Sequence, residues 1–148
     1  MHPSDNIGFL LHHLAFSLMR QSDQLLQDVL GIGFSQFKIL RVVEATPYLR
    51  QKQIAAMLGQ TEASISRQVK LMHEQGLLTT TVRPENKREH ITTLTPKGER
   101  YSSQAMTVLN GHYQPMFDQL TQSEQQALQA TLQKMHNITC NESSSTCH

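Results

Sequence analysis

The chain has 148 residues, 38% of them apolar (AVILMFWYC) and only 5% aromatic, with no Trp, a length that suits one domain of roughly 100 to 200 residues and excludes a large multidomain enzyme. Counted with Gly and without Tyr, apolar residues reach about 41%, below the usual 45 to 50%, so a monomer would have a lean core; frequent Leu and Gln favour helix over a β-sandwich. Net charge is +1, yet residues 36 to 100 hold 11 of 13 Lys/Arg and 6 of 12 Asp/Glu, a net +5 against −4 elsewhere, and a basic middle between acidic ends suits contact with a polyanion.

At the start of the chain, Ser4 or Asp5 is the expected cap of a first helix over residues 5 to 31, in which Ile7, Leu11, Leu14, Leu18, Leu25 and Val29 recur at three, four and seven. Leu11, Leu18 and Leu25 keep heptad spacing, which can bury a stripe either against the chain's own core or against a partner helix. After Gly31 and Gly33, Ser35 is the expected cap of a second helix carrying Phe37, Ile39, Leu40 and Val43, and Pro47 stops it. Tyr48, Leu49 and Arg50 suffice only for a bridging strand. A short third helix over 51 to 58 ends at Gly59, suited to a left-handed cap, and Thr61 caps a fourth. In that fourth helix, over 62 to 75, Ile65, Val69 and Met72 form one apolar stripe, and at 100° per residue Ala63, Arg67, Lys70 and Glu74 face the other way.

Gly76 ends the fourth helix, and the composition turns β-branched from Leu78 to Val82 and again from His90 to Leu94. Residues 83 to 88, Arg-Pro-Glu-Asn-Lys-Arg, are expected to be the basic loop of this hairpin. Thr95-Pro96 restarts helix with a cap followed by Pro at the first position. Tyr101, Ala105, Val108, Leu109, His112 and Met116 continue it, and Pro115 is expected to kink or end it before Phe117. Thr121-Gln122-Ser123-Glu124 is a capping box opening a last helix with Leu128, Leu132 and Met135. Residues 141 to 148 have nothing to bury and are expected to be a disordered tail.

Two helices around a Gly-containing turn, followed by a hairpin with a basic tip, make a winged helix-turn-helix, whose second helix enters the major groove of DNA. The residues fit that chemistry. Arg67 and Lys70 can neutralise phosphates or reach guanine N7 and O6, Ser64 and Ser66 offer short hydrogen-bonding arms, and the helix start at Thr61 presents backbone N–H groups to a phosphate. Lys87 or Arg88 at the hairpin tip suits the negative potential of a narrow minor groove. Other chemistries lack their residues. There is no phosphate-binding Gly loop, zinc-protease motif or nucleophile elbow, so neither an enzyme nor a cofactor is expected. Eight His residues raise the question of a metal, but His12 and His13 are adjacent and point to different faces, and His112 has no His or acid one turn away, so no metal site is expected. Cys140 and Cys147 lie in the last nine residues, where they cannot staple a core, and a polar tail offers no surroundings to activate a thiol. No apolar run approaches the roughly 18 residues of a membrane span, and the first residues, Met-His-Pro-Ser-Asp, lack the basic start of a signal peptide; the expectation is a cytoplasmic protein without a membrane partner.

Gln53-Ile54-Ala55-Ala56-Met57-Leu58-Gly59, Ser64-Ile65-Ser66-Arg67-Gln68-Val69-Lys70-Leu71, Gln75-Gly76-Leu77 and Leu94-Thr95-Pro96-Lys97-Gly98 resemble the MarR family of bacterial transcription regulators. The resemblance covers residues 34 to 100; the flanking helices agree in length and pattern only. It implies a mostly α fold in a single domain over 1 to 140. A DNA-binding lobe at 34 to 95 would hold a two- or three-stranded β-wing. Dimerisation helices at 5 to 31 and 96 to 138 would bring the total to about six helices. It implies a homodimer on a palindromic operator of double-stranded DNA, usually a repressor released by a small molecule or an oxidant. Carried over residue by residue, Gln36, Gln51 and Lys52 become phosphate-side contacts. Thr61, Glu62, Ala63, Ser64, Ser66, Arg67 and Lys70 fall on the recognition helix, and Arg83, Asn86, Lys87 and Arg88 on the wing. An effector would sit where the dimerisation helices meet the lobe, where Phe9, His13, Phe16 and Arg20 with Tyr48 mix aromatic walls and a cation for a small aromatic acid. One departure stands out. The family commonly has Asp two residues before the wing Arg, an ion pair that stiffens the loop, whereas this chain has Asn86 before Arg88. A winged-helix module for protein or RNA partners is the alternative.

Overall fold

A computed structural model describes residues 5–142. In chain order they form α1 (Ile7–Leu30), α2 (Phe34–Ala45), α3 (Gln51–Leu58), α4 (Glu62–Glu74), β1 (Leu78–Arg83), β2 (Asn86–Leu94), α5 (Pro96–Phe117) and α6 (Gln122–Glu142). This is the mostly α winged-helix arrangement that the apolar periodicities predict. None of the described helices is long and apolar enough to cross a membrane.

The core lies in the middle of the chain. Phe37, Ile39, Leu40 and Val43 of α2 pack with Ile54 of α3, with Ile65, Val69 and Met72 of α4, with Leu77 and Leu78, and with Ala105 and Leu109 of α5. Ile65, Val69 and Met72 are the apolar stripe expected of the fourth helix, and each buried side chain of that size contributes about 1.5 to 3 kcal/mol. The first helix behaves differently. Its buried residues are Ser22 and Leu26, whereas Ile7, Leu11, Leu14 and Val29 of the expected stripe are exposed. Only one side of α1 meets α5, where the Ser22 hydroxyl shares a hydrogen bond with that of Tyr113. The last helix is exposed at every residue from 122 to 139.

Several boundaries differ from the expectations, each for a local reason. The cap of α1 is Asn6 instead of Ser4 or Asp5: its Oδ1 accepts from Gly8 N at 2.9 Å and Phe9 N at 3.1 Å. The second helix starts at Phe34, so Ser35 is inside it. Its free N–H groups are met by Gln36 Oε1, which accepts from Gly33 N at 3.0 Å, and by Asp23 Oδ1, which accepts from Phe34 N at 2.8 Å. Pro115 does not end the helix before Phe117. It sits in the last turn, where the missing N–H removes a single bond and Asp118 N still reaches Gln114 O at 2.8 Å. The last helix runs through Glu142, which makes Asn141 and Glu142 helical; the rest of the expected tail, with Cys147 and His148, lies outside the described residues.

The hairpin is longer than its composition suggests. Its strands reach Arg83 and start again at Asn86, leaving Pro84 and Glu85 as the turn, and β1 runs antiparallel to β2 with Leu78 opposite Leu94. The register slips between Val82 and Arg83, so that His90 and Asn86 are successive partners and Lys87, Arg88 and Glu89 fall in the slip. The bridging strand at 48 to 50 contracts to one bridge, in which Thr92 N donates to Leu49 O at 2.8 Å. Tyr48 before it is left-handed, at φ +66°.

Candidate nucleic-acid interface

The turn between α3 and α4 is short because Gly59 takes φ +61° without a Cβ penalty. Thr61 then opens α4, its Oγ1 accepting from Ser64 N at 3.1 Å. With Ile65, Val69 and Met72 turned inward, Glu62, Ala63, Ser66, Arg67 and Lys70 are exposed along one outer face. No ion pair among the described residues involves Arg67 or Lys70. Ser64 is half-buried, with its hydroxyl 3.4 Å from Gln60 Oε1, and Gln68 Nε2 donates to the same oxygen at 3.2 Å. Glu62 stands in the first turn, where a negative charge suits the helix dipole by about 0.3 to 1 kcal/mol.

The far end of α4 is tied to α5. Lys97 Nζ donates to Gln75 O at 2.7 Å, and Thr95 Oγ1 to Gly76 O at 2.6 Å. A cation at a helix C-terminus meets carbonyls that have no partner of their own. The angle of the exposed face is thereby fixed to the helix that follows the hairpin.

Of the expected phosphate contacts, Lys52 is exposed and Gln51 half-buried. Gln36 is a correction. It is 8% exposed, its Oε1 caps α2 and its Nε2 faces Gln75 Oε1 at 3.4 Å, so its side chain is committed inside the lobe.

In the hairpin, Arg83, Asn86, Lys87 and Arg88 are all exposed. Asn86 Oδ1 accepts from the backbone N of Arg88 at 3.1 Å. It thus orders the turn as an Asx side chain does, without a charge. The acidic partner in this wing is Glu89, which the sequence reading did not single out: its carboxylate lies 3.4 Å from Arg50 Nε and 3.8 Å from Arg83 Nε. The signal was weak in sequence, since the three residues are brought together only by the bridge at Leu49 and the register slip.

The residues expected at an effector site are only partly gathered. His13, Phe16 and Arg20 line a hollow of about 670 Å³ between α1 and the start of α2, with Phe34 and Lys38. Arg20 stands over the Phe16 ring at 5.8 Å, and Lys38 over Phe34 at 5.9 Å. Phe9 is not among the lining residues, and Tyr48 is a correction: it borders a separate hollow of about 190 Å³ at the other end of α2, with Pro47 and Thr93. Lys38 and Phe34 were missed. Their only signal was the spacing of four, which stacks them on one face of α2. Among the described residues no three His, Cys, Asp or Glu side chains stand together as a metal site requires, and His112 meets Gln21 Oε1 at 3.1 Å.

The sequence model of the MarR family matches residues 30–89, the span from the end of α1 into the wing. Three solved structures of similar fold are informative. CouR from Rhodococcus jostii RHA1, bound to p-coumaroyl-CoA, has a TM-score of 0.75 at 22% identity and covers 91% of this chain and 94% of that one. The transcriptional repressor CouR bound to a 23-mer DNA duplex has a TM-score of 0.77 at 23% identity, with 89% and 93% covered. Wild-type MarR from E. coli in its apo form has a TM-score of 0.79 at 21% identity, with 88% and 96% covered. No curated protein matches by sequence.

Proposed function

We propose that the chain is a member of the MarR family, and that it is a homodimeric, sequence-specific DNA-binding transcriptional repressor that holds a palindromic operator and is released by a small molecule or an oxidant. The observation that carries the reading is the outer face of α4. Arg67 and Lys70 are exposed and engaged in no ion pair among the described residues, on a helix whose inner face and far end are both fixed. A rigid helix with free cations and short polar arms suits the major groove. On this reading Arg67 reads a base, Ala63 and Ser66 border it, Glu62 accepts from a cytosine amine, and Lys70, Lys52 and Gln51 neutralise or bond phosphates, with Arg83 beside them at the base of the wing. Lys87 and Arg88 at the wing enter the minor groove.

Dimerisation is supported by what the protomer leaves uncovered. Ile7, Leu10, Leu11 and Leu14 of α1, and Leu128, Leu132, Met135 and Ile138 of α6, are each at least 40% exposed. Apolar side chains in such runs mark an interface, and a two-fold partner would set two copies of α4 one helical turn of DNA apart, about 34 Å. CouR, of the same fold, binds both a DNA duplex and an acyl-CoA of an aromatic acid. In this chain a small aromatic acid would stack on Phe16 and Phe34, with its carboxylate on Arg20 or Lys38. Release then requires that the ligand favour a spacing of the two α4 helices that no longer fits both half-sites.

Selection of bound sequences from a random duplex library, followed by sedimentation of the complex, tests the reading. A palindrome bound by two protomers supports it. Enrichment of no sequence refutes it and turns attention to protein or RNA partners.

A further inference from the structure

We infer that Glu89 is a specificity-determining residue of the wing, which withholds Arg50 and Arg83 from indiscriminate contact with phosphates. The inference rests on the DNA-binding reading and adds a residue that pattern alone did not mark. Three observations carry it. First, a single half-buried carboxylate faces two guanidiniums, at 3.4 Å from Arg50 Nε and 3.8 Å from Arg83 Nε. Secondly, both arginines keep about half of their side chains in solvent, 53% and 44% exposed, so they stand at the surface of the basic lobe instead of being buried with their partner. Thirdly, they come from different elements, Arg50 as the cap of α3 and Arg83 at the end of β1, and Glu89, in the register slip of the hairpin, faces both.

The physical consequence follows from what a guanidinium binds. A carboxylate and a phosphate present similar pairs of oxygens, and an Arg held on one has less to gain from the other. Exposed ion pairs contribute little to folding, commonly about 0 to 1 kcal/mol, so the effect of Glu89 falls on binding. Its negative charge offsets one of the two positive charges at the base of the wing, where Arg50 Nε also donates to Gln53 Oε1 at 3.4 Å. Among the described residues Arg67, Lys87 and Arg88 stand in no ion pair and are placed to meet the grooves, with Lys70 and Lys52, also outside any ion pair, at the phosphates beside them. Without Glu89, two more cations would be free for any phosphate, and phosphate contacts carry no sequence information.

The test is fluorescence anisotropy of the full chain and of Glu89→Gln, with the duplex obtained by selection and with a scrambled duplex, across a series of salt concentrations. The variant is expected to bind the scrambled duplex about tenfold more tightly at low salt. The slope of log K against log salt should steepen by about one to two, since each phosphate neutralised contributes about 0.9. The selected duplex should gain less, so the ratio between the two falls. Glu89→Asp, which retains the charge, should keep a slope close to that of the natural chain. Adding Arg83→Gln to Glu89→Gln should take back about one unit of slope. If the ion pairs only stiffen the wing, Glu89→Gln weakens both duplexes and the slope does not steepen, which overturns the inference. Unchanged affinity for the scrambled duplex overturns it too, while the natural chain's preference for its selected duplex would leave the DNA-binding reading standing. A natural chain that binds neither duplex overturns both.

Discussion

The tie between the end of α4 and α5 predicts that Gly98→Ala damages the protein although it places a good helix former in a helix. A Cβ at Gly98 would lie 2.1 Å from Leu77 O and 3.1 Å from Leu77 C, whereas nonbonded heavy atoms settle near roughly 3.5 to 4 Å. The obstacle is backbone and cannot rotate aside. Leu77 is 1% exposed and its carbonyl accepts from Thr95 N at 3.1 Å, so relieving the overlap displaces both a core residue and the start of α5. Overpacking of this kind costs about 1 to 3 kcal/mol, loss of the Thr95 bond about 1 kcal/mol, and the gain from Ala over Gly offsets about 1 kcal/mol. The net expectation is a loss of about 1 to 3 kcal/mol. Urea unfolding at a fixed protein concentration measures it as a lower midpoint, the concentration being held because a dimer's stability depends on it. Gly111, in the same helix, has nothing within 4 Å of a Cβ, so Gly111→Ala should raise the midpoint. A Gly98→Ala midpoint equal to or above that of the natural chain would refute the packing argument.

Arg67→Ala is expected to weaken binding to the selected operator by about 1 to 3 kcal/mol and to relax sequence preference, while Arg88→Ala lowers affinity more evenly and flattens the salt slope by about one; anisotropy on matched and scrambled duplexes distinguishes the two. Leu132→Glu should weaken the dimer by about a hundredfold or more, since each partner loses a buried Leu worth about 1.5 to 3 kcal/mol, and a sedimentation profile that stays dimeric at low concentration would contradict the assigned interface. At the start of α6, the Thr121 backbone N–H, and then the Thr121 hydroxyl, hold the Glu124 carboxyl below its ordinary value of 4.5. A depressed carboxylate stabilises the fold in full above the unfolded value, and that stabilisation is lost as pH falls toward the folded one. The stability gap between the natural chain and Glu124→Gln should therefore be present at pH 6 and close below about 4.5; a gap that persists in acid would argue against the capping box.

Much of the lobe was legible because its signals are local. Gly59 ends α3 and Thr61 opens α4 as their chemistry requires, the stripe of Ile65, Val69 and Met72 determines which face is inside, and Thr121 with Glu124 opens α6 through reciprocal bonds at 2.8 and 3.2 Å. What failed to show depends on residues far apart in sequence. Gln36 looked like a polar surface residue, and only the fold reveals that it caps Gly33 and meets Gln75. The leucines of α1 left open whether their stripe packs on the chain's own core or on a partner helix, and the protomer covers only the side bearing Ser22 and Leu26. Tyr48 and Arg20 are both beside α2 but at opposite ends of it, which a list of aromatic and cationic residues does not convey. The acidic residue of the wing was sought two places before Arg88, where Asn86 stands, and it is found one place after it, in a slip of register that no short-range pattern announces.

The central claim is that this winged helix reads DNA sequence as a dimer, and anisotropy of the natural chain with duplex from upstream of its own gene and with scrambled duplex, titrated in salt, tests it most directly. The account predicts tight binding to the first and much weaker binding to the second, with a steep loss of both as salt rises. Equal affinity for the two duplexes that is indifferent to salt would contradict it.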